Sequence, residues 1–354
     1  MKTIALVMIV KNEERCLKRC LDSAQSLVDH IILVDTGSQD NTVEIAHKAG
    51  AKIYTYHWEN DFAAARNYAL SLSNADWNLV LDADEYISAA NKKEIEPFLE
   101  SNTHLGDICI RNSYMENGEI SYFNLRLSRL LPKGVFYKGK IHEQIDSRLP
   151  SVSVPIFVEH DGYLQTGEKE KRNLPYLLQE LLDHPHDAYL LYKIAGSYQI
   201  LGEEEKALHM FQKFYKSVSP KAPYRPKGIV GYLYSLLDCK NYAEILKIVK
   251  TEEKSLENYA SFHFFCGIFY MQLILSDTAR YINYLPKIEQ EYLRCLEIGT
   301  NLEDEEDLGA GSYKAAYNLG TWYEVSGNPE KAKKYYEKSS LQGYQKALDR
   351  LKNL

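Results

Sequence analysis

The sequence predicts an α/β domain with a mostly parallel sheet, followed by an all-α domain of helical repeats. Three observations carry this. Strand-like apolar runs alternate with helix-like segments through the first part of the chain. Those runs are nearly continuously apolar, as in strands covered on both faces. From about residue 168 the chain turns helical and rich in Tyr and Leu, and two of its stretches look alike.

Residues 3–10 are apolar and β-branched and read as a first strand. The opening MKTIALVMIVKNEE is not read as a secretion signal. Charged residues, rather than a small-residue cleavage site, follow its apolar run. Asn12 is placed to cap a helix running to about residue 24. Residues 31–34 make a second strand ending at Asp35. Residues 38–41, SQDN, offer a cap for a helix over 42–49, which Gly50 stops. Residues 52–56 are a third strand. Asn60 or Asp61 caps a helix through residue 72, and 77–81 are the fourth strand. After the acids Asp82, Asp84 and Glu85 the rhythm changes. Residues 91–100 read as helix, and 108–114 and 120–127 as strands around an Asn-Gly turn. Short strands are expected at 135–137 and 154–158.

The two similar stretches are LYKIAGSYQILGEEEKALHMFQKF (191–214) and AYNLGTWYEVSGNPEKAKKYYEKS (316–339). Tyr198, Gly202, Ala207 and Phe211 in one correspond to Tyr323, Gly327, Ala332 and Tyr336 in the other. This matches the tetratricopeptide pattern, with its period of about 34 residues. Small residues let paired helices approach closely, and aromatics fill the gaps. Residues 228–300 are expected to be helical with a degenerate repeat, or a plain bundle.

The totals exclude some function classes. With 354 residues and 45% hydrophobic content, the chain can bury the cores of two domains. The net charge is −7 and no basic block stands out, so nucleic-acid binding is not expected. No apolar run approaches the roughly 20 residues of a membrane span. Cys16, Cys20, Cys109, Cys239, Cys266 and Cys295 are dispersed, as expected for reduced thiols in a cytoplasmic protein.

Ligands of open α/β sheets bind beyond the carboxyl ends of the strands. Lys11, Asn12 and Glu13 stand there after the first strand, and Asp35 after the second. Residues 57–61 follow the third, and Asp82, Asp84 and Glu85 the fourth. Carboxylates can share one edge if a cation joins them. Mg²⁺ or Mn²⁺ takes a few carboxylates plus substrate phosphates. A strand-end Asp can instead bind backbone N–H groups, which accounts for one such acid better than for three.

VKNEE (10–14), VDTGSQDNT (34–42), NDFAAARN (60–67) and LDADE (81–85) together resemble family 2 glycosyltransferases of the GT-A fold, a Rossmann-like architecture. The resemblance covers about residues 1–165, leaving 166–354 as the repeat domain. FYKGKIHEQ (136–144), VEHDGY (158–163) and the helical repeats make the arrangement similar to bacterial protein- and peptide-modifying members. These include sublancin-type peptide S-glycosyltransferases and flagellin-modifying enzymes.

The resemblance implies roles residue by residue. Asp35 would contact the nucleotide base or ribose, Arg66 the base or diphosphate, and Asp82 the ribose. Val10, Asn12, Glu13 and Ala83 would complete the nucleotide-sugar site. Asp84 would hold the Mn²⁺ or Mg²⁺ that bridges the diphosphate, with His160 either joining it or serving structure. Family 2 members normally invert the anomeric centre with an Asp or Glu base. The commoner Glu-Asp base motif is not evident here, and Glu143 is the candidate, with His142 as helper or competitor. Glu143 serving only as a structural ion pair is the alternative. Arg126, Arg129, Lys138, Lys140 and Trp58 can each meet phosphate, base or sugar, or simply serve packing and solvation.

The implied reaction moves a sugar from a UDP-sugar, UDP-glucose or UDP-N-acetylglucosamine, to Ser, Thr or Cys of a peptide or protein. The repeats would recognise the acceptor or form a homodimer. A saccharide or lipid acceptor, and a silent front domain behind a peptide-binding repeat module, are the alternatives. A dehalogenase-like phosphatase is disfavoured because its paired acids follow the first strand, not the fourth. A nucleotidyltransferase usually shows an early Gly-rich loop, which VKNEE lacks.

Overall fold

The computed structural model describes residues 2–116, 119–140, 143–161, 166–300 and 307–354. They form two compact units. One comprises residues 1–120 and 124–164, the other 121–123 and 165–354.

The first unit is built on an eight-stranded, mostly parallel sheet. Its strands are β1 (Ile4–Val10), β2 (His30–Asp35), β3 (Lys52–Thr55), β4 (Trp77–Val80), β5 (Glu85–Ala90), β6 (Leu105–Glu116), β7 (Glu119–Pro132) and β10 (Ser151–His160). The order is β3-β2-β1-β4-β7-β6-β10-β5. β1 pairs in parallel with β2 and β4, β2 with β3, and β6 with β10. β7 joins β4, and β5 joins β10, in antiparallel fashion. A separate two-stranded piece pairs β8 (Tyr137–Lys138) with β9 (Gln144–Ile145).

Side chains alternate across each strand, and both faces are covered. Ile4, Leu6, Met8 and Val10 of β1 pack with Leu17, Cys20 and Leu21 of α1 (Leu17–Ala24) and Ile95 and Leu99 of α4 (Lys92–Leu99). Ala5 and Val7 pack on the other face with Ala63, Ala69 and Leu70 of α3 (Phe62–Ser71). Helix α2 (Thr42–Lys48) follows β2, and Gly50 behind it takes a φ of +77° that suits glycine. Of the two candidate caps for α3 it is Asp61 that accepts from Ala64 N–H.

One expectation is corrected. Asn12 does not cap a helix: α1 begins at Leu17, and Asn12 sits at φ +57° with its carboxamide oxygen accepting from Gln39 N–H. β5, which pairs with β10 before α4 begins, is a strand that the sequence pattern does not announce.

The second unit is helical: α5 (Thr166–Asp183), α6 (Ala188–Ile200), α7 (Glu204–Ser217), α8 (Arg225–Asp238), α9 (Tyr242–Glu252), α10 (Ala260–Ser276), α11 (Thr278–Tyr281), α12 (Leu285–Ile298), α13 (Tyr313–Val325), α14 (Pro329–Ser340) and α15 (Gln345–Leu351). The repeated landmarks fall at equivalent places. Gly202 and Gly327 follow α6 and α13 with φ of +71° and +77°. Ala207, Phe211, Ala332 and Tyr336 are buried between the paired helices. No described helix is long and apolar enough to cross a membrane.

Candidate active site

The loop after β1 is stitched to the loop after β2. Asn12 N–H donates to Ser38 Oγ at 2.9 Å, Glu13 N–H to Thr42 Oγ1 at 2.7 Å, and Glu14 N–H to Asp40 at 3.1 Å. Buried Val10 accepts from Thr36 N–H at 2.9 Å. Asp35, also buried, accepts from Gly37 N–H at 3.2 Å and Ser38 N–H at 3.1 Å. Its carboxylate therefore orders the turn with φ +108° at Gly37, the backbone duty open to a strand-end Asp.

Beyond β4 the acids separate into two groups. Asp82 accepts from Arg66 Nη2 at 2.7 Å, and Arg66 Nε donates to Glu143 Oε1. One buried guanidinium of α3 thus joins residues 16 and 77 positions away along the chain. Burial alone would push Arg66 down, but Asp82 and Glu143 outweigh it and hold its pKa well up. Arg129 Nη2 lies 3.4 Å from Asp82 Oδ2 and 3.5 Å from Glu85 Oε1. Glu85 does not face water. It is buried, its Oε2 accepts from Asp82 N–H at 2.9 Å, and burial raises its pKa against the opposing pull of Arg129. Arg66 Nη1 and Tyr137 Oη are buried without a hydrogen-bond partner among the described residues. They leave hydrogen-bonding capacity beside the carboxylates that water or a substrate group can take up.

The second group is Asp84 and His160. His160 ends β10 directly across from Glu85 in register. Its Nε2 is 3.2 Å from Asp84 Oδ2, and its Nδ1 is 2.8 Å from Asn112 Oδ1. Asn112 Nδ2 donates to Ile110 O, which turns its oxygen toward the imidazole. The Nδ1 position therefore carries the proton, and Nε2 is aimed at Asp84. Such an outer partner is what orients a metal-binding histidine. Among the described residues no group of three or more His, Cys, Asp or Glu is placed to hold a metal. Two ligands fit a Mg²⁺ or Mn²⁺ ion that takes its remaining oxygens from water and phosphate, and do not fit an all-protein cage. Arg19 donates to Asp161 at 2.7 Å and stacks 4.0 Å over Tyr86 at the same border. Cys16 lies beside Glu13, and burial together with that hydrogen bond pushes its thiol up to about 12.

Ala83 is buried between the two groups in sequence. His142 lies outside the described residues. Trp58 donates from Nε1 to Asn60 and meets Phe62 edge-on at 4.7 Å. Arg126 bonds Ser153, and Lys138 pairs with Asp146 at 3.0 Å. In the sequence Arg129 is one of several basic residues, and nothing near Asn112 sets it apart. Their signal is a polar residue within an apolar strand or helix whose partner is distant in the chain.

Residues 5–155 match the model of Glycosyl transferase family 2. A TPR repeat-containing protein of Synechococcus elongatus is 34% identical over 242 residues, covering 64% of this chain and 59% of its own length. The SPbeta prophage-derived glycosyltransferase SunS of Bacillus subtilis is 26% identical over 315 residues, covering 84% of this chain and 65% of its own. An uncharacterized glycosyltransferase of Rickettsia bellii is 24% identical, covering 72% and 88%. The chain thus spans about three fifths to two thirds of the first two relatives. The match runs from β1 into β10, the stretch that carries Asp82, Asp84, Glu85 and Glu143, and His160 lies five residues beyond it.

Proposed function

We propose that the chain is a metal-dependent, inverting glycosyltransferase that moves a sugar from a UDP-sugar to a Ser, Thr or Cys side chain of a peptide or protein. One observation carries the reading. The strand ends of the family 2 domain gather an Arg-bound carboxylate pair, Asp82 and Glu143, and an imidazole–carboxylate pair, Asp84 and His160.

Arg66 holds Glu143 at Oε1, and the base role falls to Oε2. Glu143 takes the acceptor's proton as the acceptor oxygen or sulfur forms its bond to the anomeric carbon. The bond from that carbon to the diphosphate oxygen breaks, its electron pair leaves on the diphosphate, and the configuration inverts. Asp84 and His160 would hold the divalent ion, which when bound neutralises charge on the leaving diphosphate. Val10, Asn12, Glu13, Asp35 and Ala83 would line the nucleotide. The helical repeats would receive the acceptor, since stacked repeats add concave surface. A cytoplasmic setting goes with six cysteines that form no disulfide.

The test is a thermal-shift screen of nucleotide sugars with Mn²⁺ or Mg²⁺. A ligand at about 100 times its Kd adds roughly 2.7 kcal/mol of apparent stability. A UDP-sugar that shifts melting only with the metal supports the reading. A panel in which no nucleotide sugar shifts melting overturns it.

A further inference from the structure

Residue 67 follows Arg66 on α3, and its side chain does something unlike its neighbour's. Asn67 Nδ2 donates to Tyr137 O at 2.8 Å, and Tyr137 N–H donates to Asn67 Oδ1 at 2.8 Å. A single carboxamide thus satisfies both backbone groups of one residue. The alternation of an antiparallel pair explains why they need it. Phe136 O accepts from Asp146 N–H, and Tyr137 pairs across from Ile145. Tyr137 therefore turns its N–H and C=O away from β9, to the outer edge of β8. Asn67 stands in for one residue of a missing neighbour strand. A carboxamide offers both a donor and an acceptor at this short reach.

The same stretch of α3 grips the β8–β9 pair twice more. Phe62 N–H donates to Lys140 O at 2.8 Å, and Arg66 bonds Glu143, the residue directly before β9. Arg66 is a long side chain divided between Asp82 and Glu143, so it ties the carboxylates together without fixing the strand that carries one of them. The Asn67 clip fixes that strand.

We propose that Asn67 is a positioning residue for glycosyl transfer: by clamping the Tyr137 backbone it sets where the β8–β9 pair presents Glu143. This rests on the reading of Glu143 as the base. Misplacing a reacting group by about 1 Å costs on the order of 100-fold in rate.

The test uses the full chain and two variants. Asn67→Ala removes both bonds. Asn67→Asp keeps the shape and the acceptor, but at neutral pH sets an anionic oxygen against Tyr137 O. When that carboxyl is protonated it can donate again. Amide hydrogen exchange of peptides covering β8 and β9, read without substrate, is expected to quicken in Asn67→Ala. Transfer is expected to fall about 10- to 100-fold in kcat, with the UDP-sugar Kd within about twofold. The activity of Asn67→Asp relative to wild type is expected to rise as pH falls from about 8 to about 5, toward the carboxyl's ordinary range. Unchanged exchange in Asn67→Ala overturns the clip. Faster exchange with unchanged kcat, or a flat Asn67→Asp ratio, overturns the positioning role. A wild-type chain that turns over no nucleotide sugar fails the functional reading, and with it the catalytic half of the proposal, while the exchange result still decides the clip.

Discussion

His160 Nε2 and Asp84 Oδ2 stand 3.2 Å apart although 76 positions separate the residues in sequence. Asn112 holds the far side of the imidazole, so the pair is aimed before any ligand arrives. The expected outcome is that Asp84→Ala and His160→Ala each abolish the Mn²⁺-dependent part of UDP-sugar binding. Asn112→Ala is expected to weaken Mn²⁺ affinity about 10- to 100-fold, as loss of an outer partner does. Calorimetric titration of Mn²⁺ in the presence of UDP measures all three. Wild-type Mn²⁺ affinity in Asp84→Ala would sink the assignment.

Glu143 and Asp82 share one guanidinium, so the variants at this place separate chemistry from folding. Glu143→Gln keeps shape and can still accept from Arg66 Nε. It is expected to bind donor like wild type and to transfer about 10²- to 10⁴-fold more slowly, the usual contribution of a general base. Arg66→Ala is expected to do more, because it strands two carboxylates. Its cost is roughly 3 kcal/mol, the low end for a broken buried pair, since Asp82 is 37% exposed. Single-turnover rates and urea unfolding distinguish the two effects. A Glu143→Gln chain that transfers at the wild-type rate would move the base elsewhere.

Much of the front unit was legible because its signals are local. The apolar runs of β1 to β4, the Asp61 cap and the stop at Gly50 each depend on residues within a few positions. What was not legible depends on distant partners. Glu85 opens a strand, although acids are poor strand formers, because Arg129 lies 44 positions later and the Asp82 N–H is beside it. Arg129 looked like any basic residue of a hairpin, since nothing near it in sequence announces its burial against Asp82 and Glu85. Asn12 resembled a helix cap, but its carboxamide is engaged by Gln39 of the next loop. The acids themselves were visible; how they divide between Arg66 and His160 was not.

Two glycines of the helical unit give opposite expectations. A Cβ at Gly228 of α8 would lie 2.3 Å from the Phe214 ring of α7, where that buried ring has nowhere to move. Gly228→Ala is therefore expected to cost about 1–3 kcal/mol through overpacking. A Cβ at Gly196 of α6 would meet nothing within 4 Å. There the removal of backbone freedom dominates, and Gly196→Ala is expected to gain about 0.5–1 kcal/mol. Urea midpoints of the two variants check this. A stabilised Gly228→Ala would mean that α7 and α8 pack less closely than described.

Glu252, at the end of α9, is a buried acid of the helical unit. It accepts from Arg225 Nη2 at 2.8 and 2.9 Å, Tyr215 Oη at 2.8 Å and Ser255 Oγ at 2.6 Å. Burial pushes its pKa up, but the bonds from Ser255, Tyr215 and Arg225 outweigh it and hold it below the ordinary 4.5. A carboxyl depressed by folding adds stability above its unfolded value, and that stability is lost as pH falls through the folded one. Wild type is thus expected to exceed Glu252→Gln by about 3 kcal/mol near neutral pH, the cost of leaving Arg225 without its anion. The gap should begin to close as pH falls below about 4.5 and should keep closing through the folded value. Denaturant unfolding of both chains at several pH values measures it. A gap independent of pH would show that the charge of the Glu252 carboxylate contributes nothing to stability.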